Sequence, residues 1–140
     1  MATTVYNRAL LLLASGALNW ESADIRVLLV TSSYTPDPDS DFVDSVTGEV
    51  SATNYVRKAL ASKTATLDDA SDRVVLDAAD VVWTALGTST PTRAVLFKQI
   101  TNDADSPLIA CVDISPTLAA NGTDYTLVWS ASGIIRLAQG

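Results

Sequence analysis

The sequence predicts a mainly β protein: an antiparallel β-sandwich or barrel-like domain carrying one N-terminal α-helix. From Arg57 onward, seven or more short apolar segments follow one another, separated by turn residues and without helical spacing between them. The one stretch with clear helical periodicity lies near the N-terminus. With 140 residues and 48% hydrophobic content, the chain can bury one core but is short for two, so residues 1–140 read as a single domain.

The helix is predicted over about residues 4–15. Thr3 or Thr4 can cap its start, and Gly16 can supply a left-handed stop. Val5, Ala9, Leu12 and Leu13 fall at helical spacing, leaving Asn7, Arg8 and Ser15 for other faces. The apolar run from Ala9 to Leu18 has the length of a signal-peptide core, yet only Arg8 precedes it closely, and it falls far short of the roughly 20 residues that span a bilayer. The expectation is a packed helix in an unprocessed, non-exported chain.

Ile25 to Val30 is β-branched and leucine-rich without strict alternation, which predicts a strand buried on both faces, one of them under the helix. Thr35 to Gly48, with two prolines and four aspartates, predicts a long loop with a short helical turn around Phe42 and Val43. Further strands are predicted near Arg57–Leu67, Arg73–Leu76, Val81–Thr84, Arg93–Gln99, Leu108–Ile114, Tyr125–Trp129 and Ile134–Leu137. Hairpin-like breaks fall at LDDASDR, TNDADSP, AANGTD and SASG, with Asn121-Gly122 the strongest local turn signal.

Composition narrows the chemistry. Sixteen acidic residues against nine basic ones give a net charge of −7, which repels phosphate backbones and disfavours a nucleic-acid partner. Cys111 is the only cysteine, so neither an intrachain disulfide nor a cysteine-based zinc site can form. The chain contains no histidine. Serine or cysteine nucleophiles activated by histidine are therefore excluded, and the commonest transition-metal ligand is missing.

Two acidic groups invite a functional reading. Asp37, Asp39 and Asp41 have the spacing of the first three ligands of a calcium loop, but the sixth position is Phe42 and the twelfth is Gly48, where that loop needs glycine and a bidentate glutamate. They read as a solvated acidic turn. Asp68, Asp69, Asp72, Asp77 and Asp80 fall at turns and strand ends and read the same way, since paired catalytic carboxylates need a shared cleft.

Trp20, Trp83 and Trp129, with Tyr6, Tyr34, Tyr55 and Tyr125, could form a carbohydrate-stacking surface or a protein interface, although Trp83 and Trp129 lie in strand patterns and are expected in the core. Asn121-Gly122-Thr123 matches a glycosylation sequon but reads as a turn in a non-exported chain. The glycines are isolated from one another, so no phosphate loop is expected. No catalytic, cofactor-binding or metal-ligating residue is expected.

The ordered phrases YNRALLLLASGALNWESADIRVLLVTSSYTPD, VVLDAADVVWTAL, RAVLFKQ, PLIACVDI and YTLVWSASGIIRL together resemble a family of small structural proteins encoded by tailed bacteriophages. The resemblance covers nearly the whole chain. It implies a β-sandwich with a helical N-terminus built into the virion, as a capsid decoration (cement) subunit on the major capsid protein or as a tail, baseplate or fibre component. Lacking a site to act alone but having an apolar helix and many loops, the chain is expected to form a homo-oligomer, with contacts from loops and the N-terminal segment; the resemblance implies a trimer on threefold capsid positions. A host-surface glycan-binding module is the alternative from another class. Neither a nucleic acid nor a membrane is an expected partner.

Overall fold

The computed structural model describes residues 2–139. Its largest sheet has five strands in the order β1 (Thr3–Val5), β8 (Leu108–Asp113), β7 (Arg93–Lys98), β2 (Ile25–Val30) and β3 (Lys58–Ala59), with antiparallel neighbours throughout. Two smaller antiparallel sheets lie beside it. One orders β10 (Ile135–Ala138), β5 (Arg73–Asp77) and β4 (Thr64–Asp68); the other pairs β6 (Val81–Trp83) with β9 (Tyr125–Leu127). The large sheet ends in β1 and β3 without closing on itself, so the arrangement is an open sandwich, not a barrel.

The central strands are buried on both faces, as the apolar run Val27–Val30 of β2 predicts. Val27 and Leu29 of β2, Ala94 and Leu96 of β7, and Ala110 and Val112 of β8 enter a main core with Leu76, Val81, Trp83, Leu127 and Ile135 of the smaller sheets. Leu28, Val30, Val95, Phe97, Leu108 and Cys111 line the opposite face. The alternation of side chains along a strand divides them in this way. In β8 it is interrupted once: Leu96 pairs with Ala110 and Phe97 with Leu108, so Ile109 is bulged out of the ladder. The Ile109 carbonyl accepts the Tyr6 N–H at 3.0 Å, tying the bulge to the start of the helix.

That second face is covered by the loop after β2, through Tyr34, Val43 and Val46, while the helix packs on the main-core face. Tyr34 and Val43 are buried there with Tyr6, and the Tyr6 and Tyr34 hydroxyls hydrogen-bond at 2.6 Å. Backbone bonds stitch this loop down, from Asn7 N–H to the Pro38 carbonyl, Val43 N–H to Ser106 and Leu108 N–H to Asp41. The predicted helical turn is present as a single 3-10 turn at Val43–Ser45.

The helix α1 spans Asn7–Ser15, shorter than the predicted 4–15. Thr3 and Thr4 do not cap it, because they belong to β1 and pair with Val112 and Cys111; Tyr6 takes the N-cap position in an extended conformation without a side-chain cap. Thr3, Thr4 and Val5 are β-branched and give up little by extending. Gly16 ends the helix at φ 81°, the left-handed stop expected of it. Ala9 is buried in the main core, and Leu12 and Leu13 pack against it.

Other predicted boundaries change too. Arg57–Leu67 is not one strand but two, β3 and β4, broken where Ser62 adopts φ 53°. LDDASDR and TNDADSP close the β4–β5 and β7–β8 hairpins, whereas AANGTD and SASG do not close hairpins. β9 leaves AANGTD to pair with β6, and β10 leaves SASG to pair with β5, since each finds its apolar partner far back in the chain.

Candidate interaction surfaces

Six of the eight aspartates in the two acidic groups, all but Asp69 and Asp72, have side-chain partners within the chain. The Asp37 carboxylate accepts the Asp39 N–H at 3.0 Å, Asp39 accepts from the Asn7 side-chain amide at 2.7 Å, and Asp41 pairs with Arg8 at 2.9 Å. The bond from Arg8 holds the Asp41 carboxyl below its usual range. These three carboxylates have three different partners and do not converge. In the second set, Asp68 pairs with Arg73 at 3.0 Å and accepts the Ser71 N–H across the hairpin turn, while Asp80 accepts the Trp129 N–H at 3.0 Å. Among the described residues, no group of three or more histidine, cysteine, aspartate or glutamate side chains is placed to hold a metal ion.

The aromatic residues are used in a similar way. Trp20, Trp83 and Trp129 are all buried, and each indole N–H donates to a backbone carbonyl, those of Asp77, Val56 and Ala79 respectively. Trp83 meets the edge of Tyr125 at 6.3 Å between ring centres. A stacking platform built on the tryptophans is therefore not available. Asn121-Gly122-Thr123 lies in an exposed turn with Gly122 at φ 94°. Cys111 is buried on the second face, where loss of solvent pushes its thiol up to about 12.

One polar cluster has no signal in the sequence. Arg57 binds Glu49 through two bonds of 2.9 and 2.8 Å and Asp103 through two of 2.7 and 3.1 Å, and its guanidinium lies over the Phe97 ring at 5.4 Å. Tyr55 donates to the same Glu49 at 2.6 Å. The two arginine bonds hold the Asp103 carboxyl below its usual range. Such a network fixes loops to one another; with four of the five Arg57 N–H groups engaged it offers little to a substrate.

A few large apolar side chains stay exposed, several of them at the margins of the fold. Leu10 and Leu11 are 45% and 62% exposed on the outer side of α1, and Leu67 on β4 is 69% exposed. Beside the helix runs an open groove of about 320 Å³, between Arg8, Leu12 and Ala17 on one bank and Phe42, Ile100 and Pro107 on the other. Arg8 stacks over Phe42 at 4.7 Å, and Lys98 donates to the Ala17 carbonyl at 3.0 Å, so both cations on the groove are held in place. No helix among the described residues is long and apolar enough to cross a membrane.

No family model, no curated protein and no solved structure matches the chain.

Proposed function

We propose that the chain is a non-enzymatic structural subunit of a tailed-bacteriophage virion, a capsid decoration (cement) protein that binds the major capsid protein and reinforces the head shell. The sequence resemblance gives the class, and one structural observation supports it most directly. The helix α1 is anchored through Ala9, Leu12 and Leu13, yet turns Leu10 and Leu11 outward. A short helix fixed to a rigid body with two adjacent leucines exposed is suited to docking on a neighbouring protein. In a shell the same small contact is repeated by symmetry, so modest affinity per copy is enough.

The burial of the tryptophans weighs against the glycan-binding alternative, since the rings that would stack on a sugar are in the core. The test is reconstitution on particles stripped of the protein. Saturable binding to head shells, with copies in the hundreds, supports the decoration reading. Binding to tail tubes in small copy number moves the subunit to the tail, and absence of binding to either overturns the virion role.

A further inference from the structure

The smaller three-stranded sheet ends in an edge that no described residue covers. β4 is its terminal strand, and Thr64, Ala65, Thr66 and Leu67 are all exposed. The direction of its free backbone groups can be worked out from its neighbour. The Leu76 carbonyl points to the β10 side of β5, where it accepts the Ile134 N–H at 2.9 Å. Leu76 stands opposite Ala65, so Ala65 is the member of the β4–β5 ladder whose N–H and C=O face away from β5. By the two-residue period, Leu67 presents its backbone the same way. Edges of this kind are normally blunted by charge, proline or a bulge. β4 has no proline and no bulge, and its charges, Lys63 just before it and Asp68 at its last position, stand only at its two ends.

We propose that β4 is a self-association edge, which pairs antiparallel with β4 of a second copy to join two three-stranded sheets into one continuous sheet. The residues select both the occupant and the register. Only registers that place outward-facing residues opposite one another form the ladder. Pairing centred on Thr66 sets Ala65 opposite Leu67 of the second copy, Thr66 opposite itself, Thr64 opposite Asp68, and Lys63 toward Asp69. Small meets large, threonine meets threonine, and the lysine meets a carboxylate at both ends of the contact. Centring on Ala65 instead sets Lys63 against Leu67 and loses the charge complementarity. Lys63 takes part in none of the ion pairs among the described residues.

This gives the homo-oligomer expected from the sequence a defined surface, at a strand edge instead of at loops. Its symmetry is twofold, so the edge alone makes a dimer; a trimer requires a second, head-to-tail surface. Four residues a side bury less than a standard interface, so the contact is weak in dilute solution and gains from copies held close together.

The experiment is disulfide capture of the full chain at high concentration. Thr66→Cys puts one thiol on the twofold axis, and buried Cys111 does not compete. Mild oxidation is expected to give a covalent dimer, and Ala65→Cys is expected to cross-link much more slowly. Thr66→Lys, which sets like charges opposite each other without touching a backbone bond, should weaken association roughly tenfold or more by sedimentation. Equal cross-linking of the two cysteine variants, no cross-linking of Thr66→Cys, or association unchanged in Thr66→Lys would each overturn the proposal. Shell binding by Thr66→Lys reports separately on the virion role: if it persists, only self-association has been lost.

Discussion

Arg57 and Glu49 form a two-pronged ion pair, Nε to Oε2 at 2.9 Å and Nη2 to Oε1 at 2.8 Å, with both side chains less than a third exposed. The same guanidinium takes Asp103 on its other side, so one residue joins the segment after β2 to the β7–β8 hairpin. Replacing Arg57 by alanine leaves two carboxylates facing each other over Phe97. The expected loss is about 1 to 3 kcal/mol, below the figure for a fully buried pair because the site is partly wet. Arg57→Lys should recover only a minor part, since an ammonium cannot repeat the planar fork. Urea unfolding of the three chains measures both.

The acid limit of stability follows from the same pairing. Arg57 lowers the Asp103 carboxyl, Arg73 lowers Asp68, and the Asn102 N–H leads the bonds that lower Asp105. A carboxyl depressed in the folded state binds its proton more readily in the unfolded chain, so its contribution is full above the unfolded value and is lost as pH falls through the folded one. Stability should hold from neutrality down to about pH 4 and fall below it. In Arg57→Ala the Asp103 contribution is gone, and the fall should be shallower. Thermal melts across that window decide.

The parts of this fold that were legible in the sequence are those set by local pattern. Val27–Val30 of β2, Ala94–Phe97 of β7 and Leu108–Val112 of β8 are continuous apolar runs, and burial on both faces follows from that directly. β1 was not legible, because three residues carry no period and their partner strand lies more than a hundred residues away. The break in Arg57–Leu67 depends on a serine in a left-handed conformation, which no glycine announced. Asn121-Gly122 does turn the chain, yet long-range pairing decides which strands meet. Arg57 meets Asp103 across 46 positions, a contact that only the folded topology supplies.

The acidic loop is expected to be indifferent to calcium. Asp37 and Asp39 already accept hydrogen bonds from the Asp39 N–H and from Asn7, and Asp41 is paired with Arg8. A bound ion would raise the melting temperature by mass action. The melting temperature should be the same with calcium or with chelator, both in the parent and in a chain with Asp37, Asp39 and Asp41 changed to asparagine. A calcium-dependent shift in the parent that the variant lacks would show a site there.

At high pH the buried phenols and the thiol should act together. Burial raises Tyr6, Tyr34, Tyr55 and Tyr125, with the Tyr34 hydroxyl and Glu49 adding to the effect at Tyr6 and Tyr55, and it raises Cys111 to about 12. An acid raised in the fold stabilises fully below its unfolded value and ceases to do so as pH climbs through the folded one. No tyrosine should ionise near its ordinary value of about 10 while the fold persists. Phenolate absorbance is expected to rise in one step together with loss of the β signal in circular dichroism. At neutral pH, Cys111 should react with a thiol reagent only at the rate of unfolding.

The leucines of α1 separate folding from assembly. Leu12 and Leu13 pack against the main core, so aspartate at both places charges in an apolar setting at several kcal/mol each, and soluble folding should fail. Leu10 and Leu11 are exposed, so aspartate there costs the fold little. If this helix docks on the shell, Leu10→Asp with Leu11→Asp should keep the parent's circular dichroism and melting temperature while losing binding to stripped particles. If the helix serves the fold alone, that variant should bind like the parent, and the docking surface must be sought elsewhere on the subunit.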